Sequence, residues 1–154
     1  MALEHIRNFV LVMPGLATAG QPSAAQLREV AEAGFEVVVN LGLLDPRYCL
    51  PDEAGLVPAL GLEYHHIPVD FQAPQLEDLQ RFFGVMDAIR GKEMFVHCAA
   101  NKRVSSFVSL YGQARLGWSL TQAKALIARV WQPNDVWAQF IESSRKASGA
   151  KRNN

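Results

Sequence analysis

The chain has 154 residues, 49% of them hydrophobic, and its 15 lysine and arginine residues balance 15 aspartate and glutamate residues. This length and composition favour one domain with its own apolar core. The zero net charge argues against a basic surface for nucleic acids or anionic membranes, so we expect neither as a partner. Two cysteines, Cys49 and Cys98, are too few for a disulfide framework, which favours a reducing, cytoplasmic setting. No apolar run is long enough to span a membrane.

Short apolar runs alternate with segments of helical periodicity along the chain. In chain order, the pattern predicts a strand at 9–12, a turn at 14–15, a tight connection at 19–22, a helix at 23–33 and a strand at 37–41. After a loop at 42–51, it predicts a short helix at 52–60, a strand at 63–67, a loop at 69–74 and a helix from 76 to Gly91. The last elements are a strand that begins at Met94, a helix that ends at Gly117, a helix at 119–130 and a helix that begins near Pro133.

This alternation predicts an α/β fold of three layers, in which helices flank a mostly parallel central sheet of four to five strands. Capping boxes at Ser23 and Ser119, each followed by glutamine three residues later, mark two of the helix starts. We expect residues 1–147 to form the single domain and residues 148–154 to form a polar tail. Loops 42–51, 69–74 and 98–104 each follow a strand, so we expect them to meet at the sheet edge where such folds bind ligands.

The loop that follows the strand at Met94 carries the chemistry. Cys98 lies where a buried strand passes into a helix, and the N–H groups and dipole at a helix start favour anions and a thiolate. The guanidinium of Arg103 can hold two oxygens of an oxyanion in a planar fork. His97 can fix the loop by hydrogen bonds to backbone carbonyls. We therefore predict Cys98 as a nucleophile, and no metal or other cofactor.

The rest of the loop is predicted to bind the anion. Two alanines keep it small, and Asn101 tolerates a left-handed backbone conformation. Ser105 either donates a hydrogen bond to the Cys98 sulfur or caps the helix. The expected anion-binding residues are Ala99, Ala100, Asn101, Lys102, Val104 and Ser105.

The segment His97-Cys98-x-x-Asn101-x-x-Val104-Ser105 resembles the phosphate-binding signature of cysteine-dependent protein tyrosine phosphatases, especially the dual-specificity type. That signature reads His-Cys, five residues, Arg, then Ser or Thr. Residues 64–70 resemble the strand and acid loop of these enzymes, and Asp70 lies 28 residues before Cys98. Residues 19–23 and 37–41 resemble a bacterial phosphatase-like branch, and the whole resemblance extends to about residue 130.

The resemblance implies a dual-specificity-phosphatase fold and hydrolysis of a phosphomonoester, either protein-borne or small. Phosphotyrosine and phosphoserine are the protein-borne candidates. It implies Cys98 as the nucleophile, Arg103 as the anion ligand and Asp70 as the general acid. The spacing here is Cys-x4-Arg, one residue shorter than the signature, with Val104 in the arginine position. A shorter loop also resembles that of rhodanese-type sulfurtransferases, which carry a persulfide on cysteine. A third reading is a phosphate-binding module without turnover.

Overall fold

The computed structural model describes residues 3–147, in which five strands form one sheet with helices on both faces. The predicted α/β class is thereby confirmed. The strands are β1 (Val10–Met13), β2 (Leu16–Ala19), β3 (Val37–Asn40), β4 (Glu63–His66) and β5 (Met94–His97). The helices are α1 (Ala24–Glu32), α2 (Glu53–Ala59), α3 (Leu76–Ala88), α4 (Lys102–Arg115), α5 (Leu120–Ala128) and α6 (Asp135–Ala147), and a 3-10 turn lies at Leu3–His5. The predicted tail at 148–154 lies outside the described residues.

The strand order is β1-β2-β5-β3-β4, so β5 lies at the centre of the sheet. Strand β5 pairs in parallel with β2 and β3, and β3 pairs in parallel with β4, whereas β1 is an antiparallel edge strand. In this register Val96 lies between Thr18 and Val39. The carboxyl ends of the four parallel strands therefore share one edge, and the loop that carries Cys98 leaves from its middle.

Strand β2 is absent from the predicted elements, because the sequence pattern indicates only a turn at 14–15 and a connection at 19–22 in this region. All four of its residues are buried, and a strand buried on both faces shows no alternation of polar and apolar residues. Its small side chains also lack the β-branched run that identified β3. The turn at Pro14 and Gly15 instead joins β1 to β2, and Gly15 adopts a φ of 86° there.

Side chains that alternate along the strands build one apolar cluster on each face of the sheet. Val37 and Val39 pack into the larger cluster, beneath α3 to α6, and Val38 packs into the smaller one, beneath α1 and α2. Helix α4 is buried from Arg103 to Gln113 and lies at the centre of the larger layer. Both predicted capping boxes are present, and no helix within residues 3–147 has the length and apolar character to cross a bilayer.

Candidate active site

A cavity of about 320 Å³ lies at the carboxyl edge of the sheet, where the three predicted loops meet. The loop after β3, the loop after β4 and the loop after β5 each contribute side chains to it, and one arginine comes from the N-terminal segment. The lining residues are Arg7, Leu43, Asp45, Arg47, Tyr48, Asp70, Phe71, Gln72, Ala99, Ala100, Lys102 and Arg103.

Cys98 is the first residue after β5, is 0% exposed and belongs to the larger apolar cluster. Ala99 and Ala100, which follow it, line the cavity. The sulfur therefore lies behind the loop rather than in open contact with solvent. Cys98 and Cys49 are both free thiols.

The loop presents a set of backbone donors to the cavity side of α4. Within residues 3–147, the N–H groups of Ala99, Ala100, Lys102, Arg103 and Val104 donate no hydrogen bond to the protein. The N–H group of Ser105 is the first to enter the helical pattern, donating to the carbonyl oxygen of Asn101 at 2.8 Å. Unused amide donors at a helix start are the arrangement that binds oxyanions.

Arg103 lies in the first turn of α4 and is only 5% exposed, which is unusual for a charged side chain. Several contacts hold its guanidinium in place. Its Nη1 donates to the carbonyl oxygen of Val69 at 2.8 Å, and its guanidinium lies over the rings of Phe71 and Tyr48 at 5.7 and 5.9 Å. Its buried Nε has no hydrogen-bond partner among residues 3–147. The shorter Cys-x4-Arg spacing thus still brings the guanidinium to the cavity, and its Nε–H remains available to an anion.

Asp70 lines the same cavity from the loop after β4 and is exposed. Its Oδ1 accepts a hydrogen bond from the N–H group of Gln72 at 2.9 Å. The next residue, Phe71, is held by Trp137, whose Nε1 donates to the Phe71 carbonyl oxygen at 2.8 Å and whose ring stacks on it at 5.8 Å. Trp131 contacts the same ring at 5.6 Å. The aromatic packing from α6 and the preceding loop therefore fixes the segment that carries the carboxylate.

The remaining predicted residues of the loop have different surroundings. Lys102 is exposed, with its Nζ above the rings of Trp131 and Phe71 at 5.5 and 5.9 Å. The Val104 side chain is fully buried in the apolar core, so only its backbone faces the loop. Ser105 differs from the expected sulfur partner, because its single hydroxyl hydrogen is directed to the carbonyl oxygen of Lys102 at 3.2 Å.

A buried polar network lies behind the cysteine and was not predicted. His97 Nε2 lies 2.6 Å from Glu53 Oε2, and His97 Nδ1 lies 3.2 Å from the carbonyl oxygen of Cys98. Gln21 donates to the second oxygen of Glu53 at 2.9 Å. Burial raises the pKa of Glu53, but His97, Gln21 and Tyr64 outweigh it through hydrogen bonds and charge, so that pKa lies below its ordinary value. An acidic residue in the first turn of a helix is common, so nothing in the sequence singled out Glu53.

The rim of the cavity carries an ion pair. Arg47 donates to both carboxylate oxygens of Asp45, with the shortest contact at 2.6 Å. The hydrogen bonds from Arg47 lower the pKa of Asp45 to about 2. Because the two charges neutralise one another, this pair adds little net charge to the cavity.

The N-terminal segment is held by a clasp of three hydrogen bonds, of which one joins it to Gly20 after β2 and two join it to the Cys98 loop. Gly20 N–H donates to the carbonyl oxygen of Arg7 at 2.6 Å, Asn8 Nδ2 donates to that of Ala100 at 2.9 Å, and Asn101 Nδ2 donates to that of Asn8 at 2.8 Å. Asn8 and Asn101 are the two non-glycine residues with positive φ within residues 3–147, at 52° and 67°. Sequence analysis predicted the backbone tolerance of Asn101 but missed Arg7 and Asn8, which lie far from the loop along the chain.

Gly20 allows this clasp to form at close range. A Cβ at this position would lie 2.5 Å from the carbonyl oxygen of Ala99 and 3.1 Å from that of Arg7. We therefore expect Gly20→Ala to displace the loop and to lower the free energy of unfolding by about 1–3 kcal/mol, the usual cost of overpacking. Urea unfolding measures the change.

The matched control is Gly84→Ala, because a Cβ at Gly84 meets nothing within 4 Å and the residue lies inside helix α3. That substitution is expected to be neutral or to raise stability by up to about 1 kcal/mol. Equal stability of the Gly20→Ala variant and the wild type would show that the loop has room to yield.

Comparison with known proteins places the chain in a family. The family model PTP-NADK, the DSP-PTPase phosphatase fused to NAD+ kinase, matches residues 14–146. A DUF442 protein from Shewanella putrefaciens CN-32 shares 32% identity and a TM-score of 0.85, over 95% of this chain and 96% of that chain. A mutant form of Tk-PTP shares 27% identity and a TM-score of 0.72, over 91% and 93% of the two chains.

PTPMT1, in complex with PI(5)P, has a TM-score of 0.77 at 16% identity, over 92% of this chain and 96% of that chain, which shows a shared fold. Among curated proteins, none matches the chain by sequence. The family model and the Shewanella structure both cover most of the chain, so the agreement concerns the whole domain rather than one loop. The chain belongs to the dual-specificity-like phosphatase superfamily, within the DSP-PTPase family that includes phosphatases fused to NAD+ kinase.

Proposed function

We propose that this protein is a cysteine-dependent phosphatase that hydrolyses phosphomonoesters through a phosphocysteine intermediate. The observation that carries the proposal is the oxyanion cradle beside Cys98, formed by unused N–H groups of the loop and by the buried guanidinium of Arg103. A phosphoryl group in this cradle would meet donors fixed before it arrives. Fixed donors stabilise the charge that develops on equatorial oxygens.

The first step transfers the phosphoryl group to sulfur. The Cys98 thiolate attacks phosphorus, the S–P bond forms, and the bond from phosphorus to the ester oxygen breaks. Asp70 donates its proton to the leaving oxygen, which departs as an alcohol or phenol. Because Cys98 is fully buried, this attack requires a small shift of the loop that exposes the sulfur to the cavity.

The second step regenerates the enzyme. Asp70, now a carboxylate, takes a proton from a water molecule as the water oxygen attacks phosphorus. The S–P bond breaks, the thiolate of Cys98 is restored and inorganic phosphate leaves. General acid and base help of this kind contributes about 10²- to 10⁴-fold to the rate.

The size of the cavity favours phosphoryl transfer over sulfur transfer. A persulfide adds one atom to Cys98 and needs only a small pocket, whereas the space above Ala99 and Ala100 is about 320 Å³. This volume supports a substrate larger than a single sulfur atom. PTPMT1, a protein of the same fold, has been crystallised with PI(5)P. That complex supports a phosphorylated small molecule as one class of substrate.

Hydrolysis of p-nitrophenyl phosphate by matched cysteine variants tests the proposal. We expect the wild type and Cys49→Ser to turn over the ester at similar rates, and Cys98→Ser to show no turnover above the uncatalysed background, because serine is a poor nucleophile without a base. Turnover by Cys98→Ser at the wild-type rate would remove Cys98 from the mechanism. If the wild type binds phosphate and hydrolyses no ester, the binding-module alternative stands instead.

A further inference from the structure

Two cations at the cavity form no ion pair with any residue between 3 and 147. Arg7 and Lys102 both line the cavity and are both exposed. Within residues 3–147, neither side chain makes a hydrogen bond or an ion pair, and Lys102 contacts only aromatic rings. Most other described arginines form ion pairs or hydrogen bonds within the protein. Arg47, for example, pairs with Asp45, and Arg115 pairs with Asp87.

Arg7 reaches the cavity because the clasp holds its backbone there. The carbonyl oxygen of Arg7 accepts from Gly20, and the adjacent Asn8 exchanges hydrogen bonds with the Cys98 loop through Ala100 and Asn101. These hydrogen bonds fix the backbone of Arg7 relative to the oxyanion cradle. The side chain of Arg7 is therefore anchored at the cavity.

These cations exceed what one phosphoryl group needs. The cradle already supplies a guanidinium from Arg103 and several backbone N–H groups. The ion pair of Asp45 and Arg47 is neutral as a unit. Among the described residues that line the cavity, Asp70 is then the one carboxylate that offsets the positive charge of Arg7 and Lys102. Uncompensated positive charge on a cavity wall attracts a further anionic group.

We propose that Arg7, together with Lys102, binds a second anionic group of the substrate, so that the substrate is a small molecule with a phosphate or carboxylate near the scissile phosphate. This inference rests on the proposed function, because it assigns the first phosphate to the Cys98 loop. A volume of about 320 Å³ lies at the lower end of small-molecule sites and suits a compact molecule with two charged groups.

Calorimetric titration of the full chain with two matched probes tests the inference without turnover. Methylphosphonate carries one phosphonate group. Methylenebisphosphonate carries two, which are joined through a methylene carbon by P–C bonds that the enzyme does not hydrolyse. We expect the wild type to bind the bisphosphonate about tenfold more tightly, which corresponds to about 1.4 kcal/mol. Arg7→Gln should lower this preference about three- to tenfold by removing a charged contact, with methylphosphonate affinity changed less than about twofold.

The matched control is Arg28→Gln, since Arg28 is an exposed arginine on α1 that does not line the cavity. It should keep the wild-type preference, which separates a local contact from a general effect of net charge. Equal affinity for both probes in the wild type, or equal weakening of both by Arg7→Gln, would overturn the second anion position while leaving the proposed phosphatase intact. If neither probe binds to the wild type, both the second anion position and the proposed function are overturned.

Discussion

Replacement of Arg103 by lysine is expected to lower kcat/KM for p-nitrophenyl phosphate by about 10²- to 10³-fold, the usual cost of losing one oriented donor at a developing oxyanion. Lysine keeps the charge but offers a point charge instead of a planar fork. In the described part of the chain, the buried Nε of Arg103 has no hydrogen-bond partner, and its Nη1 donates to the carbonyl oxygen of Val69. Steady-state kinetics with this ester measure the loss.

Arg115→Lys is the matched control, because Arg115 lies at the other end of helix α4 and pairs with Asp87 at the surface. We expect its kcat/KM to stay within about twofold of the wild type, as for a weak surface pair. An unchanged kcat/KM in Arg103→Lys would mean that the guanidinium does not contact the transferred group. The anion would then be held by backbone N–H groups alone.

Replacement of Glu53 by alanine is expected to lower the free energy of unfolding by about 1–3 kcal/mol at neutral pH, the cost of leaving a buried hydrogen-bond donor without its acceptor. Glu53 is only 5% exposed, and its loss would remove the partner of His97 Nε2 and leave Gln21 Nε2 with the carbonyl oxygen of Pro22 alone. Glu53 contacts His97, the residue that precedes Cys98, so the substitution removes a contact at the start of the Cys98 loop. Urea unfolding monitored by tryptophan fluorescence gives the difference.

The pH dependence of this difference has a defined sign. The pKa of Glu53 is lowered in the folded protein despite burial, because His97, Gln21 and Tyr64 stabilise the carboxylate. The unfolded state therefore binds the proton more tightly than the folded state. The stabilisation is complete above the unfolded glutamate pKa of about 4.3 and is lost as the pH falls through the folded pKa. The gap between wild type and Glu53→Ala should narrow below about pH 4.3.

Glu63→Ala is the control for this measurement. Glu63 also has a lowered pKa, through hydrogen bonds from Lys92 and His65, but its side chain is exposed. We expect a loss of only about 0–1 kcal/mol, as for surface ion pairs. Equal losses in Glu53→Ala and Glu63→Ala would show that the buried network does not stabilise the fold.

The sequence contained enough local information to predict the α/β class and the helix starts. The β-branched run of β3 and the capping boxes of α1 and α5 depend on neighbouring residues, so they could be recognised directly. The meeting of three loops followed from a general rule, since the carboxyl ends of parallel strands share one edge. Strand β2 was missed because full burial removed the alternation that identifies a strand.

The contacts that build the site depend on residues far apart in the chain, which is why they could not be predicted. Glu53 and His97 are separated by 44 positions, and Asn8 and Ala100 by 92. Neither pair has a motif, because a glutamate after a helix cap and an arginine-asparagine pair before a strand are common. The Ser105 hydroxyl donates to the carbonyl oxygen of Lys102 and not to the Cys98 sulfur. This choice depends on the backbone geometry of the first turn of α4, which the sequence does not show.

The shortened loop has a physical explanation in the structure. Asn101 takes a left-handed conformation directly before α4, and its side chain is held by Asn8 and Thr18. The helix therefore begins at Lys102, which places Arg103 in its first turn, where the side chain lines the cavity. The departure from the Cys-x5-Arg signature thus changes the route of the backbone while it retains a guanidinium at the site.

Trapping of the covalent intermediate tests the central claim most directly. The wild type is mixed with p-nitrophenyl phosphate, quenched within one turnover, digested and analysed by mass spectrometry. The account predicts one phosphoryl group on the peptide that contains Cys98 and none on the peptide that contains Cys49. Steady release of phosphate with no phosphoryl group on Cys98 at any quench time, or with the group on another residue, would contradict it.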